Sequence, residues 1–204
     1  MTELTSLLWV LSLGFGAGVL HAFDADHLAA VAGVSGRDDK RSVRFAMHWG
    51  LGHGLAVMLI AAAVLLGGAQ VPERFSAAAE SLVAWMLIAI GMTTFYHLWR
   101  QHWCNAPTES APRQTLLVGL IHGSAGSAPL LAVIPVLGYA SPLLGMLHVL
   151  LFNVGLLLAM IVVGAAISRG MGSVAGRSHK VHLSFQAAMA MFASGFGVFL
   201  LSAG

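Results

Sequence analysis

Residues 5–34 read TSLLWVLSLGFGAGVLHAFDADHLAAVAGV, a long apolar run interrupted by His21-Ala22-Phe23-Asp24-Ala25-Asp26-His27. About 20 apolar residues cross the hydrocarbon of a bilayer, so this run is longer than one crossing needs. It is expected either to extend into the interface or to break at its polar cluster. Met1-Thr2-Glu3 lacks the basic start of a signal peptide, so the run reads as a retained helix.

The rest of the chain has the same character. Of 204 residues, 58% are apolar and only 9% charged, and the mean hydropathy is +0.84. A water-soluble domain needs roughly a quarter of its residues charged, so lipid must be the solvent for much of this surface. Five more apolar stretches follow, at about 43–67, 76–98, 114–138, 143–168 and 183–203. Their separators are turn-like: Ser35-Gly36-Arg37-Asp38-Asp39, Gly67-Gly68 through Pro72, Asn105-Ala106-Pro107, Gly138-Tyr139-Ala140-Ser141-Pro142 and the Gly-rich 170–176. The expected fold class is all-α: a polytopic membrane protein of about six transmembrane helices, forming a single transmembrane domain over 1–204. The net charge of +2 is too small to suggest nucleic acid, and one cysteine, Cys104, excludes an internal disulfide and cysteine-only metal sites.

Basic residues orient the chain. Arg37, Lys40, Arg41, Arg44, Arg100, Arg113, Arg169, Arg177 and Lys180 fall in the first, third and fifth loops, while the opposite face holds Arg74. The positive-inside rule then puts the odd-numbered loops in the cytoplasm and both termini outside, in the cytoplasmic (inner) membrane.

Offset by about 100 residues, the halves 1–104 and 113–204 partly match. Gly18-Val19-Leu20-His21-Ala22 lies over Gly119-Leu120-Ile121-His122-Gly123, His48 over His148, and His53 over Asn153. Ala89-Ile90-Gly91-Met92 resembles Ala193-Ser194-Gly195-Phe196 at a slightly larger offset. Three spans per half would make these inverted repeats, the arrangement in which secondary transporters place a substrate site near the midplane.

The cluster at 21–27 carries the chemistry. An ionised side chain at the bilayer centre costs at least ~2.5–3.5 kcal/mol, so Asp24 and Asp26 need a cation, a partner or water. A bound divalent ion would compensate both charges and take imidazole nitrogens as ligands. His21, Asp24 and His27 share an arc of about 120° on a regular helix, and Asp26 points away. Either the helix unwinds here, or one aspartate orients a ligand histidine instead of binding the ion. The competing reading is a polar helix end whose carboxylates meet Arg37 or Arg41.

Two further clusters add candidates. In His48-Trp49-Gly50-Leu51-Gly52-His53-Gly54, His53 is flanked by glycines that allow close backbone approach. His48, some 140° around the helix, does not face the same point. In Gly119-Leu120-Ile121-His122-Gly123-Ser124-Ala125-Gly126-Ser127-Ala128-Pro129, Ser124 and Ser127 can satisfy freed carbonyls and Pro129 breaks the ladder. This segment reads as a discontinuous helix in which His122 gates or binds, or as small-residue packing through Gly123 and Ser127. His21, Asp24, Asp26, His27, His48, His53 and His122 are therefore the candidate metal residues. Lone histidines elsewhere, such as His97 and His179, read as solvated, and Glu80 as interfacial.

The element His21-x4-Asp26-His27, within Leu20-His21-Ala22-Phe23-Asp24-Ala25-Asp26-His27-Leu28, resembles the hallmark of the nickel/cobalt transporter family. Gly50-Leu51-Gly52-His53-Gly54 is similar to that family's Leu-Gly-His element, and the compact layout resembles its short branch associated with urease maturation. The resemblance implies a secondary permease for Ni²⁺ or Co²⁺, with His21, Asp26, His27 and His53 in the essential positions. It implies no resident cofactor and no enzymatic activity, the ion being the substrate. A homo-oligomer and a cytoplasmic metallochaperone are partners it leaves room for.

Mixed imidazole and carboxylate ligation suits nickel or cobalt, whereas calcium and magnesium prefer all-oxygen shells. Because the imidazoles must be neutral to bind, binding is expected to weaken as pH falls through ~6.5. No GxxxxGK[ST] loop is present, so uptake would draw on the membrane potential. Two other classes share parts of this pattern: a metal exporter, and a membrane haem or metal-dependent enzyme.

Overall fold

The computed structural model describes residues 3–34, 39–68, 73–101, 112–125, 132, 136–137, 141–175 and 179–203. The described part is helical: α1 (Glu3–His21), α2 (Ala25–Val34), α3 (Asp39–Leu65), α4 (Glu73–Gln101), α5 (Pro112–Gly123), α6 (Pro142–Ala175) and α7 (His179–Ala203).

The first apolar run is not one rod. It breaks at 22–24, and its two limbs, Leu7–His21 and Ala25–Val31, meet at a 59° bend. The break falls in the polar cluster, where Asp24 carries a carboxylate that favours local hydrogen bonding over a helix interior. Four other helices are long and apolar enough to cross a membrane: Val43–Leu65, Ala77–Trp99, Pro142–Gly170 and Leu183–Ser202. With the bent pair as one span, the described residues give five. The expected span at 114–138 is described only as far as α5 and Ser124-Ala125, with Ala132, Val136 and Leu137 beyond; the rest of it lies outside the described residues.

One expected separator is corrected. The Gly-rich segment 170–176 does not begin a loop, because α6 continues to Ala175. Glycine costs a helix interior only about 1 kcal/mol relative to alanine, and no proline interrupts the run before Ala175.

Small residues fill much of the interior, beside Trp49, Phe152, Leu87, Leu156 and Met160, and many large apolar residues lie on the exterior. Ala22, Ala29, Ala30, Ala46, Ala61 and Ala193 are fully buried, while Trp9, Leu20, Trp85, Leu143 and Val162 are exposed. That inversion is what a lipid solvent allows, since burying leucine against protein gains little over burying it in hydrocarbon.

Small residues let the helices approach. α3 packs against α5 and α6, α1 against α6, and α4 against α7. A Cβ on Gly18 would collide with the Phe152 carbonyl, and one on Gly155 with the Phe15 carbonyl. Likewise a Cβ on Gly52 would collide with the Leu116 carbonyl, and one on Gly119 with that of Trp49. Gly14 against His148 and Gly18 against Phe152 make α1 and α6 run in the same direction, and Gly119 against Trp49 with Gly123 against His53 do the same for α5 and α3. Gly50 against Leu157 and Gly54 against Asn153 make α3 and α6 antiparallel.

Gly16 faces open space, with nothing within 4 Å of a built Cβ. Gly119→Ala is therefore expected to destabilise the protein by about 1–3 kcal/mol, the usual cost of overpacking, whereas Gly16→Ala should be neutral or stabilising. Thermal melts of both variants in detergent check this; equal melting temperatures would show that the glycine contacts do not hold α3 and α5 together.

Candidate metal centre

The break after α1 brings the polar cluster inward. Asp24 N donates to the His21 carbonyl at 3.1 Å, and Leu28 N donates to the Asp24 carbonyl at 3.0 Å, so a single turn links α1 to α2. Asp24 and Asp26 thereby leave the faces a continuous helix would give them, and each carboxylate meets an imidazole. His21 Nδ1 lies 2.8 Å from Asp24 Oδ2, and His27 Nδ1 lies 3.0 Å from Asp26 Oδ1. The Asp26 Oδ1 atom also accepts from the His27 backbone N–H at 2.9 Å.

Both alternatives left open by the sequence hold together: the helix is broken, and the aspartates hold histidines. A carboxylate on Nδ1 fixes the tautomer and ring orientation of a histidine and leaves its Nε2 available as a ligand. The Nε2 atoms of His21 and His27 are buried and have no hydrogen-bond partner among the described residues.

α3 supplies the third ring. His53 lies at the centre of the 23-residue segment Val43–Leu65, and neither of its ring nitrogens has a hydrogen-bond partner among the described residues. Its ring centroid is 5.6 Å from that of His21 and 5.2 Å from that of His27, and the His21 and His27 centroids are 4.4 Å apart. One nitrogen from each of His21, His27 and His53 lies within 4.8 Å of the other two, and all three residues are buried. Ligand nitrogens ~2.1 Å from a shared ion sit roughly 3–3.5 Å apart, so small side-chain shifts would close this triad on a cation.

α5 brings His122 to the other side of His27. His122 Nε2 lies 2.9 Å from Asp26 Oδ2, and the His27 and His122 ring centroids are 4.7 Å apart. Asp26, His27 and His122 form a second group whose ligand atoms lie within 4.8 Å of one another. α1 and α5 both end at the site, at His21 and Gly123. Helix C-termini carry the negative end of the backbone dipole, which favours a cation between them.

Trp49 was quoted with His48 and His53 but given no role by the sequence. It is fully buried, and its ring centroid lies 5.0 Å from His27, 5.1 Å from His122 and 5.5 Å from His53. The i, i+4 spacing of Trp49 and His53 was the available signal, since it puts both on one helix face. Phe152 of α6 closes the opposite wall, 5.4 Å from the His21 ring. These rings cover the imidazoles.

Other candidates fall elsewhere. His48 is only partly buried and its Nδ1 donates to the Arg44 carbonyl of its own helix at 2.7 Å. His148 Nδ1 donates to the Val10 carbonyl at 3.0 Å, and Asn153 Nδ2 donates to the Gly54 carbonyl at 3.1 Å. Ser124 Oγ donates to the Ile121 carbonyl at 2.8 Å, as expected for a helix end with freed carbonyls. Ser127 and Pro129 lie outside the described residues.

A model of the NicO family, described as high-affinity nickel-transport protein, matches residues 7–114. The chain is similar to the urease accessory protein UreH of Bacillus sp. (strain TB-90), 25% identical over 207 residues that cover 94% of this chain and 90% of that protein. It is also similar to a high-affinity nickel transport protein of Cupriavidus necator (strain ATCC 17699 / DSM 428 / KCTC 22496 / NCIMB 10442 / H16 / Stanier 337), 34% identical over 74 residues, which are 35% of this chain and 21% of that one. No solved structure matches the chain.

Losing an outer partner of a ligand histidine typically weakens metal binding 10–100-fold. Asp24→Asn should therefore weaken Ni²⁺ binding by roughly that factor, while His48→Ala should leave it unchanged. Equilibrium dialysis of the purified variants measures both; a His48→Ala loss as large as that of Asp24→Asn would contradict the geometry.

Proposed function

The chain belongs to the NicO family of high-affinity nickel-transport proteins, and from that premise we propose that it is a nickel permease whose ion is held by the imidazoles of His21, His27 and His53. The family and the nickel-transport relative make it a transporter, not an enzyme, with Ni²⁺ as its substrate. One observation carries the assignment of residues. Three buried imidazoles converge at the middle of an apolar span with nitrogens that have no hydrogen-bond partner among the described residues, in a place where an unsatisfied polar group is costly.

Asp24 and Asp26 act from behind the rings, as orienting partners. An all-imidazole face selects transition metals over Mg²⁺ and Ca²⁺, which require oxygen ligands. A bis-histidine haem does not fit this geometry. Rings with centroids 4.4–6.1 Å apart, several of them edge to face, leave no slot for a porphyrin between them.

The full architecture under this reading is six spans in two inverted repeats. Parallel packing of α1 with α6, and of α3 with α5, is what six alternating crossings require. The glycine contacts support the repeat independently. Gly18 against Phe152 becomes Gly119 against Trp49 when the halves are exchanged, and Gly52 against Leu116 becomes Gly155 against Phe15. This register offsets the first and fourth spans by 101 residues and the second and fifth by 103. His21 stays over His122, but His53 then stands over Leu156 and His148 over Phe45. The glycine alignment of the sequence is kept, and the pairing of His48 with His148 is replaced.

The odd loops lie in the cytoplasm and both termini outside, by the distribution of basic residues. The direction is uptake, because the membrane potential favours cation entry by about 2.3 kcal/mol per charge per 100 mV. The similarity to a urease accessory protein supports delivery of the ion to a cytoplasmic metallochaperone that serves metalloenzyme maturation. Co²⁺ as a second substrate and a homo-oligomeric assembly are compatible with the same site.

Two measurements test the reading. Uptake of radioactive nickel into cells should fall to background in His21→Ala and Asp26→Ala; uptake equal to wild type at matched expression would eliminate the mechanism. Cys104, the chain's one cysteine, should react with a membrane-impermeant maleimide only after the cells are permeabilised. Labelling in intact cells would reverse the orientation.

A further inference from the structure

Two overlapping ligand groups share one ring. His21, His27 and His53 form the first, and Asp26, His27 and His122 form the second. The His27 ring has its Nδ1 on Asp26 and its Nε2 without a hydrogen-bond partner among the described residues, so it can offer a different nitrogen to each group. The His21 ring centroid lies 4.4 Å from that of His27, and the His122 centroid 4.7 Å from it. We infer that Asp26, His27 and His122 form a second metal station, and that the ion passes between the two stations across the His27 imidazole.

The inference rests on the three-imidazole site proposed above and adds a second place for the ion. Two features of the fold support it beyond the cluster itself. First, His21 ends α1 and His122 lies in the last turn of α5, and these helices run in opposite directions. Each ring therefore stands at the inner end of a helix that enters from a different side. Second, the second station offers a carboxylate oxygen where the first offers only nitrogens, so the two differ in donor chemistry as well as position. An ion moving between them gives up His27 Nε2 and takes His27 Nδ1, exchanging donors on one ring.

The hydrogens balance in number, with water as the carrier that takes each N–H proton from one nitrogen of a ring to the other. With the ion on the first station, His27 carries its hydrogen on Nδ1 and His122 on Nε2, and both donate to Asp26. With the ion on the second station, those two nitrogens and an Asp26 oxygen bind it. The hydrogens then sit on His27 Nε2 and His122 Nδ1, the latter a buried atom with no hydrogen-bond partner among the described residues. Both rings stay neutral, nothing is oxidised or reduced, and the total charge is unchanged. Because the stations share a ring and lie a few ångströms apart, repulsion between two dications limits the pair to one ion at a time.

The test uses the full chain in detergent, with Ni²⁺ for affinity and stoichiometry and Co²⁺ as a spectroscopic probe. The variants are His53→Gln, His122→Gln, His27→Gln and His21→Ala, each checked for monodispersity and helical content. Glutamine at 122 retains an N–H for Asp26, so loss of function there cannot be put down to an orphaned carboxylate. Wild type should bind one Ni²⁺. His53→Gln and His122→Gln should each still bind one, the former at least tenfold more weakly, with Co²⁺ spectra that differ from each other. Both should lose at least tenfold in transport, and His27→Gln should bind no stoichiometric ion.

Wild-type transport by His122→Gln, or no stoichiometric ion in either single variant, would overturn the second station and leave the three-imidazole site standing. Wild-type binding and transport by both His21→Ala and His53→Gln would instead remove that first site.

Discussion

Everything at this site depends on carboxylates held against buried imidazoles within an apolar span. An aspartate at the bilayer centre costs at least ~2.5–3.5 kcal/mol, and hydrogen bonds to a charged group return about 1.5–3 kcal/mol each. Asp26 takes three such bonds, from the backbone and ring of His27 and from the ring of His122. Those bonds are enough to offset burial at the lower estimate. They also convert an electrostatic liability into geometry, because each one fixes a ring. Without Asp24 and Asp26, the histidines of this cluster would be neutral polar groups with no reason to turn the same nitrogens inward.

The helix break and the glycines are consequences of that requirement. A continuous helix over residues 5–34 would point Asp26 away from Asp24 and leave one carboxylate facing lipid. The turn at 22–24 and the 59° bend let both reach partners. The rings can meet only if three helix backbones come closer than side chains normally permit. Gly119 and Gly123 of α5 lie directly against the backbone of α3 around Trp49 and His53, and it is this approach that carries His122 to within reach of Asp26. Small residues therefore determine where the ligands are, although they contribute no ligand atoms.

Much of this was legible in the sequence, and for identifiable reasons. Charge in an apolar run is rare enough to be read as function, so His21, Asp24, Asp26 and His27 stood out, and so did the need for a break or an orienting aspartate. Gly18 and Gly119, which the sequence set over one another, both lie against a neighbouring helix backbone, where close contact demands glycine. What stayed hidden depended on contacts between distant segments. The bond between Asp26 and His122 spans 96 residues, and no local spacing encodes it. Trp49 looked like any apolar residue of a span. His48 and His148 looked equivalent because histidine is conspicuous, yet they make unrelated backbone bonds to Arg44 and Val10. The end of α6 was misjudged since glycine weakens a helix without forbidding it.

A carrier must bind its ion firmly enough to replace hydration and weakly enough to let it go. Under the reading advanced for this chain, placing both carboxylates one hydrogen bond behind the rings serves each need. At the first station the surface met by the ion is three neutral imidazoles, so its departure does not uncover a pair of bare negative charges. The carboxylates still lower the ion's energy from a few ångströms away and raise the basicity of the rings that touch it. A first station with Asp24 and Asp26 both as direct ligands would bind a dication more tightly and would hold it. On this view the exchange of ligand for orienting partner is what separates a conduit for the metal from a store of it, and it is fixed by which side of each imidazole the carboxylate occupies.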